Sequence, residues 1–193
     1  NTGIEQGYEA PGTIPDPKEG YGLNIQFANT SFGQGMSATV LQMGAAISSV
    51  VNGGTYYKPH LVSVVHEAGE AGKKTAPQVV RENVVSPEVA STVRQFMQSV
   101  TQRNLPAAYR EGYMVGGKTG TAQVARPEGG YYDDRFNGMY MGFVGGNKAQ
   151  YVIVVRVDDP KIPGYAGSQA AGPIFAEIVN TLIDKFGVTP KTN

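Results

Sequence analysis

The residues best equipped for chemistry lie in "EGYMVGGKTGTAQVARP", residues 111–127. Gly112, four intervening residues and then Gly117-Lys118-Thr119 satisfy the phosphate-loop pattern G-x-x-x-x-G-K-[ST]. In that role backbone N–H groups and Lys118 would surround phosphate oxygens. The same Lys118-Thr119-Gly120 is also the K-T-G pattern of enzymes that acylate a serine. On a strand beside a cleft, Lys118 would meet a substrate carboxylate and influence nearby proton transfer. Thr119 and Thr121 would hydrogen-bond that carboxylate. Gly120 would leave room for substrate backbone. A strand amide would donate to an oxyanion, and the strand itself would pair with an extended peptide.

Sequence context separates these readings. A phosphate loop needs a buried strand before its first glycine and a helix beginning at its Lys-Thr. "NLPAAYRE" precedes Gly112, and the β-forming "TAQVA" runs from Thr121 to Ala125, shortly before Pro127. A strand is predicted where the phosphate loop requires a helix. "VIVVRVDD" imitates a strand carrying a magnesium-binding Asp158 or Asp159, although "DDP" also serves simply to end a strand and turn the chain. The nucleotide reading is thus a remote alternative.

Other combinations are weaker. His60 and His66 are the two histidines, and on one strand they would share a face too far apart for a two-ligand clasp; no metal site is expected. Asp133 and Asp134 offer an acid–base pair but fit a turn or solvated loop better. There is no cysteine, which excludes disulfides, thiolate zinc sites and cysteine nucleophiles. Sixteen basic residues balance 16 acidic ones, so nothing suggests a nucleic-acid partner. No apolar run approaches the roughly 18 residues needed to span a bilayer. The chain begins at Asn1 without a signal-peptide pattern and reads as a piece of something longer.

Several elements must position the Lys118 region. Residues 1–24 are rich in Gly and Pro and read as loop. Thr39 and Gln42 form a capping box for a helix with a broad apolar stripe, ended by "NGG" at 52–54, with Asn52 or Gly53 left-handed. "KPHLVSVVHE" (58–67) reads as a strand, with "AGEAGKK" as its turn. Ser86 caps a second helix with Pro87 in its first turn. "YMGFVGG" and "AQYVIVVRVDDP" read as adjacent strands joined by "GGNK"; Val152 to Val155 is apolar on both faces, so this strand reads as central or covered by helices. A last helix runs from near Pro173 to Gly187, with Ile174, Phe175, Ile178, Val179, Leu182, Ile183 and Phe186 on one apolar face. Three successive strands with short turns predict an α+β fold, an antiparallel sheet flanked by helices, rather than a doubly wound parallel sheet.

Taken in order, "TGIEQGYEAPGTIPDP", "SFGQGMSATVLQMGAAISSVVNGGTYYKPHLV", "GGKTGTAQVA", "YMGFVGG" and "VIVVRVDDP" resemble the C-terminal half of a penicillin-binding protein transpeptidase domain, most like the monofunctional class B enzymes. The resemblance covers nearly the whole chain. It implies a β-lactamase/transpeptidase-like fold, present here as an incomplete C-terminal portion, with residues 1–193 forming part of one domain. It implies an extracytoplasmic serine D,D-transpeptidase of septation or elongation, anchored by an N-terminal segment. No cofactor is implied. The implied partners are peptidoglycan stem peptides, β-lactams, the upstream part of the same protein and other cell-wall synthesis proteins.

Residue by residue, Lys118, Thr119 and Gly120 match the K-T-G motif, with Lys118 assisting. Thr119 and Thr121 would bind the carboxylate, and the Thr121 N–H would donate to the oxyanion. Gly33-Gln34-Gly35 matches the family's G-Q-G, read here as a structural turn. Tyr131, Tyr132 or Arg135 would border the cleft, against the simpler expectation of a solvated hairpin. The family's S-x-x-K and S-x-N motifs match no serine of this chain. The nucleophile is therefore expected upstream, and this chain alone is expected not to react with penicillin. A non-catalytic peptide- or partner-binding module is the other reading. Without upstream strands, the last helix and the Val152–Val155 strand are expected to leave apolar surface uncovered, making the isolated chain poorly stable.

Overall fold

The computed structural model describes residues 1–5, 7–14, 16, 23–162 and 164–192. Its centre is a three-stranded antiparallel sheet of β5 (Met114–Ala125), β6 (Tyr131–Gly145) and β7 (Ala149–Val157), in that order. The predicted strands and their antiparallel succession are therefore present. The Gly116-Gly117 pair, whose glycines suggest a bend leading into the strand, lies inside β5, two residues past its start.

Each face of the sheet carries its own apolar layer. Helix α4 (Gly172–Lys185) packs Phe175, Val179 and Ile183 against Val115, Tyr140, Val144, Ile153 and Val155. On the opposite face, α2 (Val40–Val51) and α3 (Pro87–Asn104) gather Ile47, Val51 and Met97 around Met114 and Phe143. The strand period of two directs alternate side chains to these two layers. Both faces of Val152–Val155 are thus occupied, contrary to the expectation that this strand lies uncovered. Exposed apolar surface lies elsewhere: Phe96 of α3 is 67% exposed, and Ile174 and Phe186 at the ends of α4 also face outward.

Capping follows the sequence signals. Thr39 Oγ1 accepts from the Gln42 N–H at 3.1 Å, and Gln42 Oε1 accepts from the Thr39 N–H at 2.9 Å. Ser86 caps α3 by accepting from Val89 N–H at 3.3 Å. Gly53, not Asn52, takes the left-handed conformation after α2, at φ 103°. Arg94 Nη1 donates to the Val51 carbonyl at 3.1 Å, fixing α3 beside the end of α2.

Three local expectations change. Leu23–Thr30 forms α1, a short helix that had no capping signal; the part of the predicted loop at 17–22 lies outside the described residues. The strand expected over 58–67 shrinks to β2 (Val64–Val65), paired with β3 (Lys73–Lys74). Beside it, β1 (Tyr56–Tyr57) pairs with β4 (Val79–Arg81). Pro59 supplies no N–H, and extended pairing resumes only beyond it. Finally, α4 is preceded by a π-helical turn, Gly167–Ala171. Among the described residues no helix is long and apolar enough to cross a membrane.

Candidate functional site

Strand β5 is the end strand of its sheet, and its outer edge is treated in two ways. Beside Gly116 it is shielded by α3: a β-carbon there would lie 3.1 Å from the Gln98 backbone nitrogen. From Lys118 onward it borders a cleft of about 830 Å³. The opposite wall is the segment from Phe32 to Ala38, just before the capped start of α2. Lys118, Thr119, Gly120 and Thr121, singled out by their types and spacing, all line this cleft.

The direction of the backbone groups follows from the ladder. The Gly116 carbonyl faces β6, because a β-carbon on Gly142 of β6 would collide with it. Along an antiparallel strand alternate residues direct their N–H and C=O groups to the same side. Gly120 therefore also faces β6, while Thr119 and Thr121 turn theirs to the free edge. Accordingly, Lys118 Nζ donates to the Thr119 carbonyl at 2.8 Å and to Thr119 Oγ1 at 3.3 Å. Successive strand side chains leave opposite faces, so these two meet by wrapping round the edge. One open edge thereby presents an ammonium group, two hydroxyls and backbone groups that no neighbouring strand pairs. Among the described residues the cleft wall bears two cationic side chains, Lys118 and Arg156, and no carboxylate, although Asp158 holds Arg156 at 2.6 Å. That balance suits an anionic, extended ligand.

Beneath the site, Thr119 pairs in register with Tyr140. Tyr140 is only 2% exposed, and its ring lies 4.5 Å from that of Phe175, centroid to centroid. Its hydroxyl shares a 3.2 Å hydrogen bond with Thr101 Oγ1 of α3. Burial pushes the Tyr140 hydroxyl's pKa up, with the Thr101 bond opposing this. The site strand is thus seated on a fixed aromatic core.

The remaining sequence candidates sort as follows. Gly33-Gln34-Gly35 does form a turn, with positive φ at both glycines, but it also stands in the cleft wall. Tyr131 corrects the hairpin expectation: it lines the cleft, and its hydroxyl accepts from the Gly35 N–H at 3.1 Å, bridging the two walls. Tyr132 and Arg135 do not line it. The Arg126 and Arg135 guanidinium carbons lie 5.2 and 4.7 Å from the Tyr132 ring centroid. Asp159 accepts from Arg135 at 2.9 Å and from Lys161 at 2.7 Å, and Asp158 accepts from Arg156 at 2.6 Å. The partners of Asp159 lie outside the cleft, whereas Asp158 is held by Arg156 of the cleft wall. Asp133 pairs with Arg126 at 3.6 Å. His60 and His66 do not share a strand, so their expected common face is absent. No cluster of metal-binding side chains occurs among the described residues. Lys118-Thr119 stands within a strand, with no helix beginning there, so the chain does not form a phosphate loop; Gly112 is a turn residue at φ 82°.

A narrower apolar groove adjoins Lys118, lined by Ile47, Val50, Val93, Phe96, Met97, Val100 and Met141. Its position between α2 and α3 was not legible in the sequence, because it requires knowing how the two helices diverge. The Phe32–Ala38 wall was missed as a functional surface for a similar reason: its glycines signal a turn but not what the turn faces.

The chain belongs to the penicillin-binding protein transpeptidase domain family, whose pattern matches residues 1–180. Stage V sporulation protein D of Bacillus subtilis is 36% identical over 198 aligned residues, covering 100% of this chain and 30% of its own length. Penicillin-binding protein PbpB of Mycolicibacterium smegmatis is also 36% identical, over 93% of this chain and 29% of its own. Penicillin-binding protein 3 of Mycobacterium tuberculosis, solved in complex with ampicillin, is 30% identical with a TM-score of 0.84, covering 100% of this chain and 44% of that one. The chain therefore spans less than half the length of these relatives, and the transpeptidase fold is the one expected from its sequence.

Proposed function

We propose that these 193 residues are the C-terminal part of a single serine D,D-transpeptidase domain and supply its substrate-binding edge. The observation that carries this reading is the open edge of β5, where Lys118, Thr119, Gly120 and Thr121 face a cleft lined by no carboxylate among the described residues. A stem peptide ending in D-Ala-D-Ala lies extended along that edge and pairs with its backbone. Thr119 and Thr121 donate to the terminal carboxylate, and Lys118 offsets its charge. A serine from outside this chain attacks the penultimate carbonyl. As the oxyanion forms, the Thr121 N–H at the free edge donates to it. The terminal D-Ala leaves, and an amine of a second stem takes the acyl group.

The nucleophile-bearing segment covers the apolar groove beside Lys118, bringing its serine within reach of the ammonium group. This chain alone is inactive because no residue within it matches S-x-x-K or S-x-N. The reaction takes place outside the cytoplasm, where the substrate resides, with an anchor supplied by other parts of the protein. A β-lactam enters the same cleft by presenting a carboxylate and a reactive carbonyl in the peptide's place. Support comes from family membership and from the M. tuberculosis relative solved with ampicillin.

The test is D-alanine release from a synthetic stem pentapeptide by the full-length protein and by its Lys118→Ala variant. The proposal expects release by the wild type and a loss of about 10²-fold or more in the variant, the scale for removing one preorganised charge-stabilising group. Peptide binding without release by the wild type would identify a binding module instead.

A further inference from the structure

Thr121 has a second structural partner. On the α4 face of the sheet its Oγ1 accepts a 3.1 Å hydrogen bond from the Gly167 N–H. Gly167 opens the π-helical turn Gly167–Ala171, where the first amides lack acceptors within the turn. The Thr121 hydroxyl satisfies one of them from 46 residues away. Short π-helical turns are rare and often accompany functional sites.

Close packing fixes this contact from two directions. A β-carbon on Gly167 would overlap the Gly120 carbonyl oxygen and lie 3.0 Å from Thr121 Oγ1. Gly138 pairs in register with Thr121 on β6, and a β-carbon there would strike the Ala166 carbonyl and lie 2.9 Å from Ala166 Cβ. Two glycines thus seat the turn directly against the site strand.

A threonine hydroxyl has one proton to donate and can accept through its lone pairs. A neighbouring N–H can only donate. Gly167 therefore engages the oxygen and leaves the hydroxyl proton for another acceptor. We propose that Gly167 is a positioning residue: its backbone N–H holds the Thr121 hydroxyl as a donor aimed at a carboxylate, giving the site its preference for carboxylate-bearing ligands. This rests on the transpeptidase reading of the cleft.

The test uses the full-length protein and compares acylation rates by benzylpenicillin and by its methyl ester, which lacks the anionic carboxylate. Thr121→Val, which removes the hydroxyl, and Gly167→Ala, whose β-carbon would push the turn and its N–H away from Thr121, should each slow the penicillin reaction by about tenfold or more relative to the ester, as expected for losing a hydrogen bond to a charged group. The double variant should lose no more preference than either single variant, and Thr121→Ser should retain it. Equal slowing of both compounds by Gly167→Ala, or additive losses of preference, would overturn the inference. Should Gly167→Ala fail to fold, amide hydrogen exchange at Gly167 decides. Protection in wild type and Thr121→Ser, lost in Thr121→Val, supports the bond; protection unchanged in Thr121→Val overturns it. Wild type inert to both compounds would sink the transpeptidase reading and this inference together. Acylated wild type with no penicillin preference would sink the inference alone.

Discussion

Replacing Gly116 by alanine separates the two chemistries that residues 111–127 resemble. A β-carbon at this position would stand 2.6 Å from Phe143 Cζ, 2.7 Å from Phe143 Cε1 and 3.1 Å from the Gln98 backbone nitrogen. Ordinary carbon contacts lie near 3.5–4.0 Å, so the ring must retreat by roughly 1 Å. Phe143 is fully buried among Ile47, Val51, Met97 and Met114, and the α3 backbone closes the other side. Overpacking of this kind costs about 1–3 kcal/mol, a fall in Tm of about 2–12 °C for a domain of 150–250 residues. Thermal unfolding monitored by circular dichroism measures it. Phe143→Leu should recover part of the loss in the double variant, because it removes the two ring carbons in collision. An unchanged Tm, or strictly additive single effects, would refute the packing argument. Under the phosphate-loop pattern Gly116 is an unconstrained position, and its replacement would leave the core undisturbed.

Two further predictions concern the supports of the site. Thr101 is fully buried, so Tyr140→Phe should cost about 1–3 kcal/mol by leaving its hydroxyl unpaired; adding Thr101→Val should recover much of this, as measured by urea unfolding of the four-member cycle. Hydrogen bonding from Lys161, then Arg135 and the charges of both, holds the Asp159 carboxyl below its ordinary value. A depressed carboxylate pKa gives stability that is present above the unfolded value of about 3.9 and is lost as pH falls through the folded value. Asp159→Asn should therefore flatten the acid limb of a stability–pH profile below about pH 4, while a profile unchanged by the substitution would count against the clasp.

Much of the site strand was legible because its signals are local. Alternating β-formers, the turn "GGNK" and the Pro-to-Gly bounds of the last helix each act within a few residues, and the structure places β5, β6, β7 and α4 accordingly. Thr39 and Gln42 announced α2 through a capping box that closes on itself. What escaped depends on long-range approach. Tyr131 meets Gly35 across 96 residues, and Gly167 meets Thr121 across 46; neither has a periodic signature. Helix α1 has no Ser, Thr, Asp or Asn immediately before it in the sequence to announce it, and β1 to β4 form two separate pairs of strands only two or three residues long. The exposed apolar surface was expected partly on the wrong element. Sequence periodicity marks Val152–Val155 as apolar on both sides but does not say that α2 covers one of them.

The division of labour in the proposed reaction places the carboxylate-binding edge and oxyanion donor in this chain and the nucleophile outside it. Intact-mass and peptide-mapping spectrometry after exposure to benzylpenicillin tests this directly, on the full-length protein and on the isolated 193 residues. The account predicts one covalent adduct on the full-length protein, on a serine outside residues 1–193, and none on the isolated chain. An adduct on any serine within these residues, or a full-length protein that forms none, would contradict it.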